Sequence, residues 1–190
     1  MKVAGRNPEI EFRRLGREFG EAYDAYRAGG RCDLESINRK LGGAISVRKP
    51  DSNRLLTVRS EGDFTVEVNE HTGVRRDNFA IAQALGHYQL HFLGKLDALP
   101  TQSDDLPRIE FVFDDEPGVD ESTRRRVMVA EARLFARGLL TGGVDLLAAA
   151  GANQRSLAKE LQMPRGVLEQ EVAVAVQYAT QYLTYPDGEA

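Results

Sequence analysis

Three polar side chains that could bind a metal or move a proton recur at four-residue intervals between residues 78 and 94. They are Gln83, His87 and His91. At about 100° per residue, positions four apart lie one above another on the same side of a helix. A different side of this helix is apolar and is formed by Ile81, Leu85, Tyr88 and Phe92. With the apolar side in the core, the polar side either lines a functional site or faces water.

A carboxylate lies in the apolar side of a second predicted helix, at residues 120–141. The residues within about 60° of Glu131 on a helical wheel are mostly apolar: Val127, Leu134, Phe135 and Gly138. The opposite side of the helix carries Arg126, Arg133 and Arg137. Burying an unpaired carboxylate is prohibitively costly, so the group must be protonated or paired. One interpretation is that Glu131 pairs with Arg124 or stays partly exposed. The other is that it meets the side of the first helix that carries His87 and His91.

Together these two helices resemble the ImmA/IrrE family of zinc-dependent peptidases. In that family one helix carries a motif of the form R-x-x-F-T-x-A-H-E-L-G-H-Y-x-L-H, and a later helix carries E-A-N-x-F-A-x-x-L-L. Here residues 76–91 read RDNFAIAQALGHYQLH and residues 131–140 read EARLFARGLL. The resemblance covers about residues 30–175. It implies an α+β, zincin-like fold with a small antiparallel sheet, a degenerate active-site helix beside the Glu131 helix, and a helical, helix-turn-helix-like C-terminal segment.

The departures from the family pattern fall at the positions that carry its chemistry. In H-E-x-x-H, two histidines four residues apart bind zinc and the glutamate between them activates the attacking water. Here Gln83 replaces the first histidine and Ala84 replaces the glutamate. The second and third zinc ligands of the family remain, as His87 and Glu131. Because an amide oxygen is a much weaker zinc ligand than imidazole and alanine accepts no proton, the resemblance implies the fold and argues against peptidase activity.

A shifted set of zinc ligands is the alternative. His87 and His91 are themselves four residues apart and, with Glu131, would bind zinc one turn later. Tyr88 could not replace the missing base in that arrangement. The interpretation that we favour places Gln83, His87 and Glu131 in a hydrogen-bonded polar cluster, in which neutral His87 donates a proton to Glu131. No metal or other cofactor is then expected, and zinc is expected only with the shifted set.

The rest of the chain alternates between helical and extended patterns. Helices are predicted at residues 8–28, from an Asp33 cap to Gly42-Gly43, from about 75 or 78 to 93, at 120–141, and over 144–185 with breaks near Gly151 and Met163-Pro164. Strands are predicted at 44–48, 55–59 and 64–69, as an antiparallel meander, and at 108–113 after a loop at 95–107. We divide the chain into an N-terminal helix at 1–30, a metallopeptidase-like domain at 31–143 and a helical C-terminal segment at 144–190.

The C-terminal run from Ser156 to Leu168 resembles a helix-turn-helix. DNA binding through residues 153–172 is therefore a further hypothesis. The second helix of the pair carries acidic Glu169 and Glu171 against one basic residue, Arg165, so nucleic acid is a less expected ligand than a protein. A second basic feature lies on the helix at 120–141, where Arg124, Arg125, Arg126, Arg133 and Arg137 are interpreted as a solvated face balanced by the acidic segment 114–121.

The composition excludes several classes of protein. The chain has 190 residues and a formal net charge of −4, which does not suit a surface built wholly for nucleic acid. No apolar run approaches the ~20 residues that span a bilayer, and the first residues lack the apolar region of a signal peptide. Cys32 is the single cysteine, so no intrachain disulfide forms. These observations make a cytoplasmic location the expectation.

The function expected from the resemblance is that of a catalytically inactive, ImmA/IrrE-like regulatory protein that binds a partner without cleaving it. By analogy with the family, the partner is a regulatory protein such as a helix-turn-helix repressor of a phage, mobile element or stress response. The second hypothesis is an active zinc endopeptidase that cleaves such a repressor with His87, His91 and Glu131 as ligands. The third is a DNA-binding regulator. The apolar residues after Pro164 would also provide a surface for association into a homo-oligomer.

Overall fold

The structure is a computed structural model that describes residues 7–49, 52–70, 73–94, 110–115 and 122–184. The helices are α1 (Pro8–Ala22), α2 (Leu34–Lys40), α3 (Val74–His87), α4 (Thr123–Thr141), α5 (Leu146–Ala150), α6 (Gln154–Glu160) and α7 (Arg165–Thr184). The strands are β1 (Gly43–Val47), β2 (Arg54–Ser60), β3 (Asp63–Val68) and β4 (Phe111–Asp114). The α+β class is therefore confirmed. Within the described ranges, no helix is long and apolar enough to cross a membrane.

The strands lie in the order β1-β3-β2-β4. β2 is antiparallel to both β3 and β4, but β1 pairs with β3 in the parallel direction. The predicted antiparallel meander and small antiparallel sheet are therefore wrong, because the sheet is mixed. A tight turn at Gly62, with φ of 77°, joins β2 directly to β3 and leaves the other edge of β3 to β1. Alternation indicates which side chains face the core, but it specifies neither the neighbouring strand nor its direction.

The N-terminal helix is shorter than its sequence pattern. α1 ends at Ala22 rather than at residue 28. Asp24 adopts a left-handed conformation with φ of 50°, and Tyr26 then forms an isolated antiparallel bridge with Cys32. Tyr26 continues the apolar spacing of α1 in the sequence, but it packs against the core from the turn that follows the helix. The predicted cap of the next helix is confirmed, since the Asp33 side chain accepts a hydrogen bond from the Ser36 backbone N–H at 3.0 Å.

The helix that carries the histidines changes its winding halfway along the motif. α3 ends at His87, and a π-helical turn over Tyr88–Phe92 follows it. The sequence predicted one continuous α-helix to Leu93. Tyr88 anchors the turn, because its ring stacks on Phe64 with centroids 4.2 Å apart and its hydroxyl accepts a hydrogen bond from the Gly62 N–H at 2.9 Å. The predicted loop at 95–107 and the first residues of the strand at 108–113 lie outside the described residues.

Helix α3 is packed between the sheet and α4, as expected for the two helices of the resemblance. Helix α1 packs on α4, and α5, α6 and α7 pack on one another. The helical structure is interrupted at Gly151 and at residues 161–164. The predicted breaks near Gly151 and Met163-Pro164 are thus confirmed. Glu171 of α7 is buried and pairs with Arg13 of α1 at 2.8 Å and with Arg137 of α4 at 3.3 Å. This acidic residue therefore ties the C-terminal helix to α1 and α4.

Candidate functional site

The buried part of α3 and the π-helical turn hold the polar side chains that the sequence singled out. Gln83, His87 and His91 are all buried, and so is Ala84 between the first two. Full burial obliges each polar atom to find a partner or to remain at a cost. The partners of these side chains therefore define the chemistry of the site.

The two histidines and Glu131 form a linear hydrogen-bonded chain. Nδ1 of His87 lies 3.0 Å from Nδ1 of His91, and Nε2 of His91 lies 2.9 Å from Oε2 of Glu131. Of the two interpretations of Glu131, the structure supports contact with the histidine side of α3, and the side chain is also partly exposed. The sequence interpretation assigned the contact to His87, whereas His91 makes it. Arg124 is not the partner of Glu131 either. We call this set the His–His–Glu chain.

When both histidines are neutral, the hydrogen bonds of the His–His–Glu chain determine which ring nitrogens carry protons. A carboxylate only accepts hydrogen bonds, so His91 carries its proton on Nε2 and its Nδ1 is an acceptor. Nδ1 of His87 must then donate, which leaves Nε2 of His87 unprotonated. That nitrogen is buried and has no hydrogen-bond partner within the described residues. Burial, with smaller contributions from the charges of His91 and Arg133, lowers the pKa of His87 to about 3. His87 is therefore neutral near neutral pH.

The burial of His87 predicts that mild acid destabilises the protein. The pKa is about 3 in the folded state and 6.5 for an unperturbed histidine, so the unfolded chain binds more protons between these values. We expect His87 to lower the free energy of unfolding by roughly 1 kcal/mol for each pH unit between 6.5 and its folded-state pKa. Urea unfolding at a series of pH values measures the slope. His87→Gln, whose amide can still donate to His91, should have a shallower slope, and an equal slope would contradict the prediction.

Gln83 belongs to a different group of contacts. Its Nε2 donates to the Asp115 backbone carbonyl at 3.0 Å, and its Oε1 accepts from Nε of Arg133 at 3.4 Å. Arg133 also donates to the Asp115 carbonyl at 3.1 Å. The favoured cluster of Gln83, His87 and Glu131 is therefore wrong in its connections, because Gln83 holds the end of β4 through Asp115 instead of contacting the histidine.

The rotation of α4 differs from the sequence interpretation. The side of α4 that packs in the core carries Ala132, Phe135, Ala136 and Leu139. Val127 is 48% exposed, and the Glu131 side chain lies at the edge of the core with 28% exposure. The predicted solvated face of five arginines is also divided. Arg133 contacts the end of β4, and Arg137 pairs with buried Glu171.

Two cavities adjoin the end of β4. The first, which we call the β4 cavity, has a volume of about 310 Å³ and is lined by His87, Val112, Phe113, Asp114, Ser122, Arg124, Arg125, Met128 and Val129. The ring of Phe113 stacks on that of His87 with centroids 5.0 Å apart. The second has a volume of about 360 Å³ and is lined by Gln83, Arg48, Asp115 and Arg133 among others. The two histidine positions of the H-E-x-x-H-like motif, Gln83 and His87, therefore line different cavities.

The shifted ligand set does not converge on one point. His87 lies against Nδ1 of His91, whereas Glu131 lies against Nε2 on the other side of the same ring. A protein zinc site needs three or four ligands around one ion. In the part of the chain that the structure describes, no three His, Cys, Asp or Glu side chains are grouped so as to hold a metal. As they stand, His87, His91 and Glu131 are arranged for hydrogen bonding.

Several residues of the site were not singled out by the sequence. Arg48 and Asp115 line the second cavity, and Phe113 covers His87. Phe113 had one usable signal, the strong alternation of its strand, which indicates that one face is buried. Arg48 has no such signal, since it directly follows an alternating strand whose residues are mostly exposed. Its partners come from distant parts of the chain.

Neither the protein-family models nor the curated protein sequences match this chain.

Proposed function

We propose that this chain is a non-catalytic, ImmA/IrrE-like regulatory protein that holds an extended segment of a partner protein along β4 without cleaving it. The observation that carries the proposal is an edge strand beside a cavity. In the described sheet, β4 pairs with β2 on one side only, and the β4 cavity adjoins it. An extended segment can add to such an edge through backbone hydrogen bonds and place a side chain in the adjacent cavity.

The proposal of a non-catalytic protein rests on Ala84 and the His–His–Glu chain, of which His87 lines the β4 cavity. A hydrolytic zinc site needs convergent ligands and a base beside the attacking water. Ala84 has no such base and is fully buried, and His87 is joined through His91 to Glu131. Nε2 of His87 is buried without a hydrogen-bond partner in the described part of the chain, and it can accept a hydrogen bond. A group with that capacity favours binding of a donor.

The apolar and basic parts of the β4 cavity define the partner segment. Val112 is 42% exposed on β4, and Met128 and Val129 of α4 add apolar walls. Arg124 is exposed at the same cavity, and its side chain makes no ion pair or hydrogen bond with another described residue. α4 begins there after Ser122, whose side chain does not cap it. An extended segment with an apolar side chain followed by an acidic one fits this arrangement.

Photo-crosslinking in cells of the source organism tests the proposal. A photoreactive amino acid at position 112 should capture an uncut partner protein. The same probe at Val47 is a matched control, because Val47 is 62% exposed on β1 at the opposite edge of the sheet. Val112→Lys should reduce the recovered partner by about ten-fold, equivalent to about 1.4 kcal/mol, and Val47→Lys should leave it unchanged.

Two results would overturn this function. Equal loss with Val47→Lys would show that the edge beside the β4 cavity has no special role. Recovery of a cleaved partner, with cleavage abolished by His91→Ala and by zinc chelation, would instead support the shifted-ligand peptidase.

A further inference from the structure

A basic concavity separates the start of α3 from the turn between α6 and α7. Its outer part has a volume of about 830 Å³ and is lined by Arg75, Arg76, Lys159 and Arg165, with no acidic residue among the described residues that line it. Its inner part is the 360 Å³ cavity at Gln83, which shares Arg76 and Pro164 with the outer part. The inner part adds Arg48 and Arg133, together with the acids Asp77 and Asp115. Six cations and two acids therefore line these two adjoining cavities, which we call together the basic concavity, in a chain whose net charge is −4.

Most of the outer cations are not compensated by protein groups. Arg75, Arg76 and Lys159 are exposed, and their side chains make no ion pair or hydrogen bond with another described residue. Arg165 pairs with Glu169 at 2.6 Å. Like charges held around one concavity repel each other and raise the local concentration of anions. The concavity thus has an excess of positive charge that a bound anion would balance.

Two helix N-termini open on the same concavity. α3 and α7 have 14 and 20 residues, and their first turns contribute Val74 and Arg165 to its lining. First-turn N–H groups lack acceptors within the helix and favour anions. Gly73 precedes α3 with φ of 83° and gives it no side-chain cap. A Cβ atom built on Gly73 or Gly166 would meet no atom within 4 Å, so a ligand can approach the backbone at both helix starts.

Arg48 gives an independent indication of an anion at the inner end. Its side chain is only 4% exposed, yet its hydrogen bonds to Asp115 Oδ2 and to the Glu67 carbonyl are long, at 3.4 and 3.3 Å. Its Nε is buried and has no partner within the described residues. A buried guanidinium in this condition is costly. An oxyanion entering beside Arg48 would supply the missing acceptor.

We propose that this concavity binds phosphate groups. One phosphate is held between the start of α3 and the start of α7 by Arg75, Arg76 and Lys159, and a second oxyanion lies further in, toward Arg48 and Arg133. Guanidinium groups and helix N-termini are the usual protein partners of phosphate oxygens. The same chemistry is offered by a free nucleotide or pyrophosphate and by a nucleic-acid backbone. The site requires neither the β4 edge nor a protein partner, so it stands apart from the proposed function.

Amide NMR of the full chain with pyrophosphate, ATP and a short DNA duplex tests the site. We expect shifts at the amides of residues 73–76 and 165–167, and dissociation constants below about 1 mM for at least one probe. Arg75→Gln/Arg76→Gln should weaken that binding at least about ten-fold. Arg31→Gln/Arg39→Gln is the matched control, since it removes the same charge from exposed residues outside the concavity.

The three probes distinguish the sources of phosphate. Saturation by ATP or pyrophosphate with weak duplex binding identifies a free polyphosphate ligand. A nucleic-acid backbone is identified if the logarithm of the association constant for the duplex falls with the logarithm of the salt concentration with a slope of about −3. The double variant should reduce the size of this slope by about 2. Equal weakening in the control variant, shifts confined to other residues, or no binding below about 1 mM for every probe would overturn the proposal.

Discussion

Gly138→Ala is expected to destabilise the protein by about 3 kcal/mol or more. A Cβ atom at position 138 would lie 1.9 Å from the backbone oxygen of Arg13 and 2.6 Å from its carbonyl carbon. Gly16 makes the reciprocal approach, because its Cβ would lie 2.0 Å from the backbone oxygen of Phe135. Two helix backbones therefore touch, and neither can yield by rotating a side chain. Thermal unfolding should show a fall in Tm of about 6–12 °C.

Gly166→Ala is the matched control for this effect. Gly166 also lies in a helix, near the start of α7, but a Cβ there would meet nothing within 4 Å. Because alanine is the better helix former, this change should be neutral or stabilising by up to about 1 kcal/mol. If Gly138→Ala and Gly166→Ala had similar stabilities, the close packing of α1 on α4 would be contradicted.

Ala84→Glu is expected to lower the free energy of unfolding by about 4 kcal/mol at neutral pH. Position 84 is where the family motif carries its catalytic glutamate, but here the alanine is fully buried within the hydrophobic core. A carboxylate there would have its pKa raised by burial above the usual value of about 4.3. The penalty for its charge should therefore be complete above the raised pKa and should disappear as the pH falls toward 4. Urea unfolding at several pH values measures both the loss and its pH dependence.

Ala84→Gln separates charge from volume in this experiment. Glutamine has nearly the same shape, so it should reproduce the steric part of the loss without the pH dependence. A stability of Ala84→Glu within about 1 kcal/mol of the wild type would show that position 84 opens into a site. Zinc binding by the double variant Gln83→His/Ala84→Glu would support that conclusion and would make the chain a zinc protein that lost two residues.

The two proposals use different surfaces of the protein. The partner surface consists of β4 and the β4 cavity, which is lined by Phe113 and Asp114 of that strand. The phosphate site depends on the starts of α3 and α7 and reaches Arg48 on the side of Asp115. Asp115 joins them structurally, because its carbonyl is held by Gln83 and Arg133 and its carboxylate by Arg48. Asp115 therefore lies between the inner part of the basic concavity and the end of the strand that we propose as the partner surface.

The sequence alone determined the features that depend on near neighbours along the chain. Asp33 and the glycine pair after it set the limits of α2, and Gly151 and Pro164 separate the C-terminal helices. The four-residue spacing of His87 and His91 placed their rings together, and the alternation of the strands predicted a sheet. These predictions succeeded because capping, turn formation and helical or extended periodicity are local properties.

Only the tertiary structure decided which distant groups meet. β1 pairs with the edge of β3 that the β2–β3 turn leaves free, and it does so in the parallel direction. His91 rather than His87 reaches Glu131, since the π-helical turn and the rotation of α4 set the final angles. The basic concavity joins positions as far apart in sequence as Arg48 and Arg165. Periodicity gives a residue its face on an element, whereas the packing of elements selects what that face contacts.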